Sequence, residues 1–94
     1  MGMDRFAGLP AGDLVAQGVA DLSRGLESIP ALLVSIGAPR LGRLGLAITA
    51  PWPDAEHRLY ALLASEHADA AHSRYNALVR RLVSFERAAT CVPW

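Results

Sequence analysis

Apolar residues recur at helical spacing near the start of the chain. In AGDLVAQGVADLSRG, residues Leu14, Val15, Gly18, Val19 and Leu22 share one arc of a 3.6-residue repeat, while Asp13, Gln17, Asp21 and Arg24 take the other side. This predicts an amphipathic helix over about 11–24, with Gly25 as a left-handed stop after it. Gly18 lies inside the apolar arc, where a missing side chain lets another backbone come close at a propensity cost of roughly 1 kcal/mol. Ser28 is placed to cap a second helix, with Pro30 in its first turn, where an absent N–H does no harm. The run ALLVSI makes that helix, about 28–37, the most buried one. Gly37 and Pro39 then predict a kink or a short extra helix reaching residue 44. Beyond Gly45, LAITAPWP reads as an extended connection from which Trp52 folds back onto the core.

From Asp54, a potential N-cap, to Pro93 there is neither glycine nor proline, so propensity alone would permit one very long helix. The phase of the apolar residues argues against it. Leu59, Leu62 and Leu63 define one face, and extending the same helix puts Leu78, Leu82 and Phe85 roughly 120° away. SEHAD is the polar segment where the break belongs, with Asp69 as the cap of the last helix. The expected fold is therefore all-α: a compact bundle of four main helices, about 11–24, 28–37 with its extension to 44, 54–65 and 69–90. It forms one helical domain over 1–94, without internal repeats.

The last helix, AHSRYNALVRRLVSFERAAT, is the most patterned. Ala71, Tyr75, Leu78, Leu82, Phe85 and Ala89 step by four and three, as a packed seam does, and Val79 and Val83 widen that arc. Ala70, Ala77, Ser84 and Ala88 form a strip of small residues on the opposite flank. A narrow polar sector remains, carrying Ser73, Asn76, Arg80 and Arg87, which is little solvent face for a terminal helix. Its arginines divide accordingly. Arg80 and Arg87 are expected in water, whereas Arg74 and Arg81, one heptad apart at the seam's edge, are expected partly buried and in need of carboxylate partners. Glu56, Glu66 and Asp69 are the nearest acids in sequence, and another subunit is an equal source.

Composition sharpens this. With 94 residues, a hydrophobic share of 52% leaves little interior for so many apolar groups, so some are expected to meet another subunit. Nine basic residues balance nine acids, so no global field draws the chain to nucleic acid or an anionic surface. The single cysteine, Cys91, cannot form an internal disulfide, and a reducing, cytoplasmic setting fits. No charged leader precedes an apolar run, and no apolar segment is long enough to span a bilayer.

Catalytic signatures are missing: there is no GxSxG, P-loop, HExxH or dinucleotide fingerprint, so an enzyme is not expected and no cofactor is implied. Asp69 and His72 lie one turn apart, but a di-iron bundle needs such a pair on each of two helices. Ala38, Gly42 and Ile48 have the spacing of a helix-turn-helix, yet the recognition segment LGLAITAPW offers no side chain for a phosphate or a base edge. The leading expectation is a helical interaction protein, a homodimer or an adaptor, whose contact uses Arg74, Tyr75, Leu78, Val79, Arg81, Leu82, Val83 and Phe85. The alternative is a nucleic-acid-binding regulator using Arg40, Arg43, Arg80 and Arg87. A third reading is a small-molecule or metal pocket lined by Trp52, Tyr60, His72 and Tyr75.

Overall fold

The computed structural model describes residues 8–91, and all regular structure among them is helical. The helices are α1 (Gly12–Ser23), α2 (Ile29–Ile36), α3 (Ala38–Arg43), α4 (Ala55–Glu66) and α5 (Ala71–Thr90), with a 3₁₀ turn, Ala68–Ala70, before α5. They build the expected all-α bundle, 41 × 24 × 18 Å in extent, with the predicted extra helix after Gly37 realised as α3. α1 packs on α2, α2 on α4, and α4 on α5, so α2 is the central layer. Its residues Ala31, Leu32, Leu33 and Val34 are all buried, because neighbours cover it on both sides. Phe85, Leu41 and Leu59 are fully buried around it.

Local signals act largely where the sequence places them. Ser28 caps α2, its Oγ accepting from the Ala31 N–H at 3.1 Å. Gly25 adopts φ 70°, the left-handed geometry that stops α1. Gly18 faces α2 at very close range. A Cβ there would clash with the Pro30 carbonyl oxygen and stand 2.8 Å from Val34 Cγ1. Trp52 does fold back: its backbone N–H donates to buried Ser35 Oγ at 2.9 Å and its indole N–H to the Leu26 carbonyl at 3.0 Å. LGLAITAPW is largely non-helical connection, which removes the helix-turn-helix geometry altogether.

Three local expectations are corrected. Asp54 precedes α4 in a left-handed conformation, φ 56°, and its side chain caps nothing. Asp69 lies inside the 3₁₀ turn, so the residue at the N-cap of α5 is Ala70, again without a side-chain cap. Asp21, assigned to the solvent side of α1, is buried instead. The turn that brings α2 back against α1 places Ser28 over it, and the carboxylate accepts from Ser28 Oγ at 2.6 Å, Gln17 Nε2 at 2.8 Å and Arg24 at 3.2 Å. A carboxylate so surrounded by donors is held below its usual range, chiefly by Ser28 and Gln17.

Candidate functional site

The expected seam of α5 is real. Ala71, Leu82, Phe85 and Ala89 are buried, and Tyr75 and Leu78 are half-buried against the core. Leu82 and Phe85 are therefore packed into this chain's own interior, with Leu82 reaching only the edge of the groove between α3 and α5. Burial, with the nearby Glu56 carboxylate, holds the Tyr75 hydroxyl above its ordinary range.

Arg74 and Arg81 overturn the expectation of partial burial. Both are exposed, and neither forms an ion pair among the described residues. Ala77 and Ser84 of the small strip beside them are exposed, and the guanidiniums stay in water with them. They border an open depression of ≈ 270 Å³ with Ile29, Leu63, Ala77 and Leu78. Arg80 and Arg87 are exposed as expected, Arg80 reaching only its own helix at the Asn76 carbonyl, 3.4 Å away.

The other flank of α5 holds the most developed site. Val79 and Val83 lie outside the core cluster and wall a groove between α5 and α3. One part, ≈ 370 Å³, is lined by Arg40, Arg43, Leu44, Val83, Glu86, Arg87 and Thr90. The adjoining part, ≈ 300 Å³, adds Ile36, Gly37, Pro39, Val79 and Leu82 and shares Arg40, Arg43, Val83 and Glu86 with the first. Gly37 makes this groove possible in two ways. It separates α2 from α3, and it leaves room for Glu86, whose Oε2 would stand 3.0 Å from a Cβ at that position.

Glu86 is the residue that the sequence reading missed. It is 8% exposed and spans the groove to Arg40 at 3.4 Å, whose own side chain is 66% exposed. Its helical phase, four residues after Leu82 and seven after Val79, was the available signal: a carboxylate on a packed arc needs a cation opposite it. Arg43 and Arg87, by contrast, have no partner among the described residues.

Charge is thus distributed unevenly in a chain of zero net charge. α3 and α5 together carry Arg40, Arg43, Arg74, Arg80, Arg81 and Arg87 against a single acid, Glu86. Elsewhere the paired arginines are structural. Arg58 holds both oxygens of Glu27 at 3.1 and 3.2 Å and lies 5.4 Å over the Trp52 ring, and Arg24 pairs with Asp21.

The residues of the third reading separate. Tyr60 stands near His72 and Tyr75, with ring centroids 6.5 and 5.7 Å apart, while Trp52 is engaged with Leu26 and Arg58. Among the described residues no three His, Cys, Asp or Glu side chains are grouped to hold a metal, and no helix is long and apolar enough to cross a membrane. No family model, curated protein or solved structure matches this chain.

Proposed function

We propose that this protein works by association, as a small helical module that docks a protein partner on the face built by α3 and α5. The observation that carries this reading is the convergence of Arg40, Arg43 and Arg87 on one groove walled by Ile36, Pro39, Leu44, Val79 and Val83. Arginines in the last turn of a helix complement its macrodipole, each by about 0.3 to 1 kcal/mol. That accounts for them singly. It does not account for their meeting over apolar side chains of which Pro39, Val79 and Val83 lie outside the core cluster. An apolar floor with an arginine rim is the composition of a protein contact, in which desolvated aliphatic area supplies affinity and the rim selects the partner.

Self-association through this groove is disfavoured by symmetry. A twofold contact of the groove with itself would bring six guanidiniums together against two carboxylates. The reading is tested by placing a photo-crosslinking residue at Val83 or, as a control, at exposed Glu56, and measuring solution mass in parallel. A discrete, saturable crosslinked product from Val83 alone supports it. No discrete product from Val83 in the native cell refutes it, whereas a monomeric solution mass of the purified chain is what docking of a different protein expects.

The convergence of three arginines also gives the nucleic-acid reading its best footing. Phosphate would find Glu86 in the groove, no aromatic lining for base stacking among the described residues, and apolar walls with no use. A salt-dependent mobility shift with DNA or RNA that disappears in Arg43→Glu/Arg87→Glu would favour it over docking of protein.

A further inference from the structure

We infer that the α3–α5 groove takes an acidic amphipathic helix, with two carboxylates flanking a short row of aliphatic side chains; this rests on the docking reading above. Three features set the occupant's chemistry. Arg40 is already opposed by Glu86, so the charge left unanswered among the described residues is that of Arg43 and Arg87, and two carboxylates answer it. The walls are aliphatic, Ile36, Pro39, Leu44, Val79 and Val83, so the surface between those carboxylates must be aliphatic too.

Shape sets the third condition. The stretch of α5 from Val79 to Thr90 that borders the groove is about 16 Å long at 1.5 Å per residue. That accommodates two to three turns of a docked helix, the spacing over which positions i, i+3, i+4 and i+7 form one face. An open groove that cannot enclose a small molecule can still bury one face of a helix. Among the described residues, the helices with exposed acids, α1 and α4, spend their aliphatic faces on this chain's own core, so a second copy offers no free acidic amphipathic helix and the occupant is a different protein.

The test uses a fluorescently labelled synthetic helix of about three turns, with leucines at i, i+3, i+4 and i+7 and glutamates flanking them. Its counterpart has every glutamate replaced by lysine. Fluorescence anisotropy with the full chain is expected to show saturable binding of the glutamate peptide and none of the lysine peptide. Affinity is expected to fall about tenfold in Arg43→Glu/Arg87→Glu and to weaken as salt is raised. Neither arginine is paired among the described residues, so the double variant folds, and a cooperative melting transition verifies this.

Equal binding of the two peptides, binding indifferent to the double variant, or no binding at all overturns the inference. Tighter binding of a single-stranded oligonucleotide than of the peptide, lost in the same variant, also overturns it, in favour of nucleic acid. Failure here leaves the docking reading standing if Val83 still crosslinks a discrete product, since the partner's chemistry alone would then have been misassigned.

Discussion

The corner between α1 and α2 and the groove between α3 and α5 are built from similar residue types, yet they reach opposite ends. At the corner, Gly18 brings backbone against backbone, and Asp21 collects Ser28, Gln17 and Arg24 until its carboxylate is surrounded. Across the groove, Gly37 only makes room, one 3.4 Å pair joins Glu86 to Arg40, and Arg43 and Arg87 have no partner among the described residues. Polar groups that are saturated from within hold a fold together. Charges left over beside exposed aliphatic walls are available to something outside it.

The largest effect is expected at the corner. Gly18→Ala forces a Cβ into the Pro30 carbonyl; overpacking of about 3 kcal/mol outweighs the roughly 1 kcal/mol that alanine gains in helix propensity. Denaturant unfolding should therefore show a net loss of about 2 kcal/mol, and an unchanged midpoint would mean that α1 and α2 are not in close contact.

Next comes the charge on Asp21. Its folded pKa lies below the ordinary value of 3.8, so the stability it contributes is present above about pH 4 and is lost as pH falls through the folded value. Asp21→Asn should melt lower than the parent near neutrality, and the two melting curves should converge in acid. Parallel curves across the whole range would show that ionised Asp21 contributes nothing.

At the groove the prediction is inverted. Arg43→Glu/Arg87→Glu should lower stability only by the two reversed helix-end charges, about 1 to 2 kcal/mol, while weakening the acidic peptide about tenfold. A large drop in melting temperature would show that these arginines are structural after all. The smallest effect belongs to Glu86→Gln. Removing the one negative charge in the groove should tighten the same peptide about threefold, at a stability cost under about 1 kcal/mol, because Arg40 is mostly in water. Weaker binding of the peptide by this variant would mean that Glu86 positions Arg40 for the partner.

The contrast also marks how far periodicity reaches. Ser28, Gly25, the break at SEHAD and the seam from Ala71 to Ala89 were legible because caps, stops and helical phase act within a turn or two of chain. Arg74 and Arg81 were misplaced because the width of an apolar arc says which residues are able to be covered, not which of them are. Leu82 and Phe85 were offered as contact residues for the same reason. Nothing in the phase of α5 distinguishes its own core from a neighbour's.

By itself, the sequence determined an all-α chain, its helices and most of their ends, the central position of α2 and the close approach at Gly18. Each follows from short-range sterics and the burial of aliphatic runs. Only the tertiary structure decided that Asp21 is interior, that Glu86 lies across from Arg40, and that Arg74 and Arg81 stay in solvent. Those outcomes depend on where α3 and the α1–α2 turn are carried in space. The direction of the chain after Gly25 and Gly37 is settled by packing among residues far apart in sequence.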